Sequence, residues 1–192
     1  MLALAVAMGI GRFSFTPIMP LMLEENIISL KNASWLASIN YFGYLLGAIV
    51  CSLQFFLAKF FKFKNLNYSK IISFGLVTTC LLIVLMSLNF PLIWPILRFL
   101  SGFTTAIVFV LTSTWCLNQL SVLNAQNLGG IVYAGPGMGI LISGITSSVL
   151  VQYKLNSQFN WVILGLLSLV ITFLILPLFK TKKSFPFSKK NE

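Results

Sequence analysis

Six apolar segments dominate the sequence and limit the folds that are open to it. They cover approximately residues 2–23, 34–57, 70–89, 92–117, 128–152 and 160–179. A helix needs about 20 apolar residues to cross the hydrocarbon layer of a bilayer, and each segment meets this length. The chain is 58% hydrophobic and only 8% charged, whereas soluble domains carry about 25% charged residues. The sequence therefore predicts an all-α membrane protein, with a bundle of six transmembrane helices over residues 1–179 and a basic tail over 180–192.

Composition also narrows the functions that the chain can have. It contains no histidine and only three acidic residues, and no nucleophile and base stand at a usable spacing, so we expect no enzyme. The net charge of +10 does not indicate nucleic acid, because the chain lacks the polar surface that such a partner needs. Cys51, Cys80 and Cys116 lie inside apolar segments without a C-x-x-C pair. This pattern predicts free thiols, with no metal and no other cofactor.

The basic residues between and after the apolar segments predict the orientation in the membrane. Those of the second link and the tail are Lys59, Lys62, Lys64, Lys70, Lys180, Lys182, Lys183, Lys189 and Lys190. Because lysine and arginine concentrate in cytoplasmic loops, both termini are expected in the cytoplasm. The same lysines could bind anionic lipid, but fixing topology is their ordinary role. No basic residue precedes the first segment, which predicts a retained helix and no cleaved signal peptide.

The first segment contains an arginine near its middle, in the run GIGRFSFTPIMP of residues 9–20. Arg12 would lie about 15 Å from the helix end, near the centre of a hydrocarbon layer about 30 Å thick. A charge at that depth costs about 2.5 to 3.5 kcal/mol on insertion scales, so such residues normally face protein or a water-filled cavity. We therefore expect Arg12 to point into the bundle.

The fourth segment carries a second charge, in the run RFLSGFTTA that begins at Arg98. Gly102 and Ala106 follow at four-residue spacing and share its helix face. Small residues allow a neighbouring backbone to approach closely, so this face is expected to pack and to carry Arg98 into the interior. The modest depth of Arg98 would alternatively permit its side chain to reach outward to the lipid headgroups.

The two arginines leave an unbalanced charge, because no aspartate or glutamate lies inside the six predicted spans. Thr16, Asn40 or Ser101 could accept hydrogen bonds from a guanidinium, but none of them carries a negative charge. The missing partner would be an anionic group on a substrate, such as a carboxylate, or an acid on another polypeptide, since both match the geometry of arginine. The candidate cavity residues are Arg12, Thr16, Asn40, Tyr44 and Arg98.

The second segment repeats the small-residue pattern in the run NYFGYLLG of residues 40–47. Gly43 and Gly47 form a G-x-x-x-G step, which predicts close helix packing. Tyr41 and Tyr44 flank the first of these glycines. They are alternatively interpreted as anchors at the membrane interface, where tyrosine is enriched.

The fifth segment contains the run GIVYAGPGMGILISG, which begins at residue 130. Gly135, Gly139 and Ser143 form a stripe of small residues, and Pro136 removes a backbone donor, which predicts a bend. A phosphate-binding loop is the rival interpretation, but no strand precedes the run and no G-K-[ST] follows. We interpret the segment as a hinged packing helix.

Taken together, these motifs resemble those of the major facilitator superfamily. The R-x-x-x-G of the fourth helix and the G-P-x-x-G of the fifth lie in order on the expected helices. The opening GIGRFSFTPIMPLM and the later run ASWLASINYFGYLLGA resemble more narrowly the YbfB/YjiJ-type transporters of bacteria. The likeness extends over residues 2–179, as the N-terminal six-helix half of a twelve-helix protein.

The resemblance implies a bundle of two inverted three-helix repeats, with the first and fourth helices lining a central cavity. It implies that the pairs Arg12-Phe13 and Arg98-Phe99 face this cavity, and that the helix of Pro136 bends at the interface between halves. It also implies residence in the lipid bilayer of a bacterial inner membrane. The implied partner is a second six-helix bundle, supplied by a homodimer or by a separate chain.

The expected function is therefore that of a secondary transmembrane transporter, or of a truncated half of one. It would move a small solute by alternating access, and the unpaired arginines favour an anionic solute. The alternative is a non-transporting truncated remnant, or a six-helix membrane module that acts through a partner chain. Neither function involves nucleic acid or covalent chemistry.

Overall fold

The computed structural model describes residues 1–60 and 68–180, and these residues form six long apolar helices of membrane-spanning length. The helices are α1 (Leu2–Glu24), α2 (Leu30–Phe60), α3 (Tyr68–Leu85), α4 (Trp94–Val122), α5 (Gly129–Gln152) and α6 (Ser157–Lys180). A short 3-10 turn, Gln126–Leu128, precedes α5. The prediction of an all-α protein with six candidate membrane spans is confirmed.

The helix ends differ from the limits of the apolar segments. The fourth segment was expected to end at residue 117, whereas α4 continues to Val122, because hydropathy reports the extent of apolar sequence and a helix can continue into polar residues. Similarly, α2 begins at Leu30, before the predicted residue 34. The predicted basic positions Lys62 and Lys64, and the tail beyond Lys180, lie outside the described residues.

The first helix is not a uniform α-helix, although the sequence predicts one over residues 2–23. It runs as an α-helix over Leu2–Leu4, as a π-helix over Ala5–Ile10 and again as an α-helix over Phe15–Glu24. Within this break the Gly11 N–H donates to the Val6 carbonyl at 2.7 Å, five residues back. Such wide turns are frequent at functional sites, and this one ends at Ile10, two residues before Arg12.

The helices pair in a simple pattern. The most extensive contacts join α2 to α4 and α1 to α5, and α3 packs against both α4 and α6. One buried cluster combines the second half of α1 with the start of α6, and the other combines the first half of α1 with the end of α6. Many large apolar side chains of α2, α5 and α6 are exposed, as expected for surfaces that face lipid or another apolar partner.

Backbone-to-backbone contact at glycines explains the α2–α4 pair. A Cβ atom at Gly43 would collide with the Phe99 carbonyl oxygen, and one at Gly102 with the Asn40 carbonyl oxygen. A Cβ atom at Gly47 would come within 2.8 Å of the Ala106 methyl group. The small residues singled out on these two helices therefore face each other and set the distance between the helix axes.

The α1–α5 pair is built in the same way. A Cβ atom at Gly135 would collide with the Met1 carbonyl oxygen, and one at Gly139 with the Ala5 carbonyl oxygen. Gly9 lies directly against Gly139, inside the π-helical part of α1. Helix α5 continues through Pro136 without ending, from Gly129 to Gln152, so the irregular backbone at this interface belongs to α1.

Polar contacts connect the remaining helices. The Cys80 Sγ atom lies 3.2 Å from the Thr172 hydroxyl, between α3 and α6, and the Ser69 hydroxyl donates to the Phe179 carbonyl. Cys51, Cys80 and Cys116 are free thiols, as predicted, with the first two buried and the third half-buried.

Glu25 accepts hydrogen bonds at the start of α6. Its carboxylate receives the Ser157 N–H at 2.8 Å and also the Ser157 hydroxyl. A negative charge at a helix N-terminus satisfies free N–H groups and interacts favourably with the helix dipole. The contact joins the end of α1 to the first turn of α6 across a long sequence separation.

We expect Glu25→Ala to lower the stability of the bundle by about 1 to 3 kcal/mol, the range for hydrogen bonds to charged groups. Thermal unfolding of the purified protein in detergent measures the effect. Glu24→Ala is the matched control, because Glu24 is exposed and its side chain has no comparable role. Equal melting temperatures for the two variants would contradict the assignment.

Candidate solute-binding site

Arg12 follows the π-helical turn of α1 and lies half-buried among aromatic rings. Its guanidinium carbon is 3.9 Å from the ring centroid of Tyr44, 5.1 Å from that of Tyr41 and 5.3 Å from that of Phe13. A guanidinium over an aromatic face is stabilised by the ring quadrupole, most strongly where water is excluded. The three rings therefore stabilise the positive charge of Arg12 locally, as a carboxylate would otherwise do.

Arg98 lies deeper than Arg12, with only 3% of its surface exposed. Its guanidinium carbon is 4.6 Å from the ring centroid of Phe15, and the Phe15 ring in turn stacks against Trp161 at 6.4 Å. Because the side chain is held inside the bundle, it does not reach outward to the lipid headgroups. Phe15 separates the guanidinium from the apolar core around Trp161.

Two hydrogen bonds hold the three helices of the site together. The Asn40 side-chain amide donates to the Arg98 carbonyl at 2.8 Å, from α2 to α4. The Ser101 hydroxyl donates to the Gly11 carbonyl at 3.1 Å, from α4 to α1. The sequence suggested Asn40 and Ser101 as hydrogen-bond acceptors for a guanidinium. In the structure both side chains instead donate hydrogen bonds to backbone carbonyls. They position the backbones next to the two arginines.

The remaining candidates have different positions. Tyr44 stacks directly on Arg12, and Thr16 is exposed on α1 one turn beyond it. Gly43 and Gly102 lie at the contact of α2 with α4. Because they allow the two helices to pack closely, Tyr41 and Tyr44 of α2 are held near the helices that carry the arginines, α1 and α4.

Sequence reasoning named Tyr44 as a cavity candidate and paired Phe13 with Arg12, but it missed that these rings and that of Tyr41 surround the guanidinium, and it missed the role of Phe15. A usable signal existed for the two tyrosines, because residues three apart on a helix share a face. The same spacing relates the interior glycine Gly47 to Tyr44, which indicates that Tyr44 lies near the packed side of α2. The interface-anchor interpretation placed these rings at headgroup level, whereas both stand over Arg12.

The site contains two cations without an acidic partner. Glu25 bonds Ser157 and Glu24 is exposed at the end of α1, so within the described parts of the six spans no carboxylate lies among the buried residues. The Nε atoms of Arg12 and Arg98 are buried without a hydrogen-bond partner. Unpaired buried donors on a cation are costly, and an anion that accepts from them would remove the cost.

Six apolar membrane-length helices around a cationic interior define a polytopic helical membrane protein. The family model described as "Uncharacterised MFS-type transporter YbfB" matches residues 4–190. The chain therefore belongs to this family of major facilitator superfamily transporters, which is a transporter family and not an enzyme family. No curated protein and no solved structure matches the chain.

Proposed function

We propose that the protein forms a six-helix half of a secondary transporter that moves a small anionic solute by alternating access. One observation carries the proposal: two guanidiniums lie inside the bundle with buried, unpartnered Nε atoms and without a carboxylate among the buried residues described. A charge in the membrane interior is costly and usually marks a substrate or ion pathway. The anion that completes the site is then the solute.

The two arginines have different parts in this proposal. Arg12 is half-buried and is the guanidinium that contacts the solute. Arg98, almost fully buried, adds positive potential from behind Phe15 and need not touch the solute. In a water-poor interior this potential acts over a longer distance than it would in solvent.

The pairing of helices supports an arrangement of two inverted three-helix repeats. If residues of the bundle form two repeats, α1 corresponds to α4, α2 to α5 and α3 to α6. Under this correspondence the α1–α5 pair is equivalent to the α4–α2 pair, and the α3–α6 pair is equivalent to itself. Both interchanged pairs are close contacts at glycines. Such repeats place substrate sites near the bilayer midplane, where the depth of Arg12 in α1 also puts its charge.

We further propose that both termini face the cytoplasm of a bacterial cell and that the bundle resides in the inner membrane. The lysines of the second link and the tail support this orientation. A second six-helix bundle, from another copy or a separate chain, would provide the other wall of the solute pathway. Gly135, Pro136 and Gly139 would then transmit the rocking motion between α1 and α5.

A second candidate function is a membrane module that acts through a partner chain without transport. The observation that favours it is the apolar outer face of α5, where Leu141 and Ile145 are more than 60% exposed. The two functions differ in whether solute crosses the membrane. Flux in proteoliposomes that contain the purified chain alone, or the chain with a co-purified partner, separates them.

Arg12→Gln is expected to reduce the binding or flux of an anionic solute by about tenfold or more, because a hydrogen bond to a charged group contributes about 1.5 to 3 kcal/mol. The measurement uses a panel of radiolabelled small carboxylates, sulfonates and phosphates with protein in proteoliposomes. Lys31→Gln is the matched control, since it removes the same charge from an exposed position at the start of α2. Unchanged handling of every anion by the Arg12 variant would refute the proposal.

A further inference from the structure

Three aromatic rings surround the one guanidinium that a solute can reach. The rings belong to Phe13, Tyr41 and Tyr44, with centroids between 3.9 and 5.3 Å from the guanidinium carbon of Arg12. Resting on the anionic-solute function, we propose that the solute is a monocarboxylate whose carboxylate is attached to a planar apolar ring. Tyr41 and Tyr44 determine this specificity.

The number of accessible guanidiniums argues for a single carboxylate. Arg98 is 3% exposed and its guanidinium lies against the face of Phe15, so it offers no open edge to a second acidic group. Arg12 is half-buried, so part of its side chain is accessible, and its buried Nε donor has no hydrogen-bond partner. A carboxylate meets a guanidinium edge-on through two parallel hydrogen bonds in one plane, and a solute with one carboxylate needs only one such partner.

The rings argue for a planar group behind that carboxylate. The three rings that surround the guanidinium of Arg12 also border the space beside it, where the remainder of a bound carboxylate solute would lie. Tyr41 is 55% exposed, so part of its ring remains available to a solute. Phe42 of α2, next in sequence to Tyr41, and Phe99 of α4, next in sequence to Arg98, form a further aromatic pair with ring centroids 6.2 Å apart. A ring of the solute that packs on these aromatic side chains, stacked or edge-to-face, gains more binding free energy than an aliphatic group of equal size would.

Equilibrium binding to the purified full chain in detergent tests the specificity with three probes. Benzoate is planar, cyclohexanecarboxylate has the same carbon count without planarity, and acetate carries the carboxylate alone. The binding measured for the Arg12→Gln variant is subtracted from that of the unmodified protein. This subtraction removes the contribution of probe that partitions into the detergent micelle. We expect benzoate to bind about three to ten times more tightly than cyclohexanecarboxylate, the range that a ring–ring contact provides, and more tightly still than acetate.

Variants of Tyr41 assign the preference to its ring. Tyr41→Leu is expected to lower the ratio of benzoate to cyclohexanecarboxylate affinity at least threefold, while Tyr41→Phe retains the ratio because the ring remains. Tyr153→Leu is the matched control, since Tyr153 is 75% exposed at the end of α5. If Tyr41→Leu does not fold, Tyr41→Phe still shows whether the preference needs the hydroxyl group or only the ring.

The outcomes separate this inference from the function on which it rests. Equal Arg12-dependent affinities for benzoate and cyclohexanecarboxylate would overturn the aromatic specificity and leave an anion transporter standing. Retention of the benzoate preference in Tyr41→Leu and in Tyr44→Leu would overturn the assignment to these rings. If none of the three carboxylates and no other anion binds in an Arg12-dependent way, the proposed function fails and the inference fails with it.

Discussion

Gly102→Ala is expected to lower the stability of the bundle severely, by about 3 kcal/mol or more. The new methyl group would collide with the Asn40 carbonyl oxygen and approach the Tyr44 backbone nitrogen to 2.9 Å. Overpacking a close-packed interior costs about 1 to 3 kcal/mol when side chains can adjust, and here the obstacle is backbone. Separating α2 from α4 would also break the hydrogen bond from Asn40 to the Arg98 carbonyl.

Gly144→Ala is the matched control for this change, because a Cβ atom there meets nothing within 4 Å. Alanine is the better helix former by about 1 kcal/mol, so this variant should be as stable as the unmodified protein or slightly more so. Melting temperature and the yield of monodisperse protein in detergent report the difference. Equal behaviour of the two variants would mean that α2 and α4 do not approach at Gly102.

Replacing Arg98 by methionine is expected to have opposite effects on stability and on solute binding. The buried guanidinium has an unpartnered Nε atom, and no carboxylate is buried beside it in the part of the chain that the structure describes. An arginine in the membrane interior costs about 2.5 to 3.5 kcal/mol on insertion scales. An apolar side chain of similar length removes this cost, so Arg98→Met should be more stable. The same change removes one of the two interior charges and should weaken anion binding by about tenfold.

Arg98→Lys separates the two contributions of the arginine. It retains the charge but loses the planar group that lies over the Phe15 ring, so it should keep most of the anion affinity without a gain in stability. Unfolding in detergent and anion binding are measured on the same preparations. If Arg98→Met were both less stable and fully competent in binding, Arg98 would be a packing residue and the electrostatic role assigned to it would be wrong.

The interior position of the arginines shows where sequence reasoning succeeded. Arg12 is too far from either end of an apolar segment to reach water easily, so its depth alone predicted an interior site. Arg98 lies nearer a helix end, and two positions for its side chain were compatible with the sequence. Only the packing of Phe15 against it, with Trp161 behind, decided between them.

The irregular backbone of α1 shows where sequence reasoning failed. Residues 2–23 form an apolar run that suits a membrane-spanning helix, and Gly9, Gly11, Pro17 and Pro20 are local signs of irregularity that do not specify a π-helical turn. The π-helical turn places Gly9 against Gly139 of α5. A shift from bonds four residues back to bonds five residues back is a small change within one helix, so contacts with a distant helix can decide it.

The sequence by itself determined the class of protein, the six candidate membrane spans, the interior position of Arg12 and the small residues that pack. These follow from the thickness of the hydrocarbon layer, the cost of burying charge and the absence of a side chain on glycine. The tertiary structure alone decided which helices pair, which rings surround Arg12 and which polar side chains bond to backbone. Those features depend on groups from α1, α2 and α4 meeting at one place, and residues separated by many positions along the chain carry no local signal that they will meet.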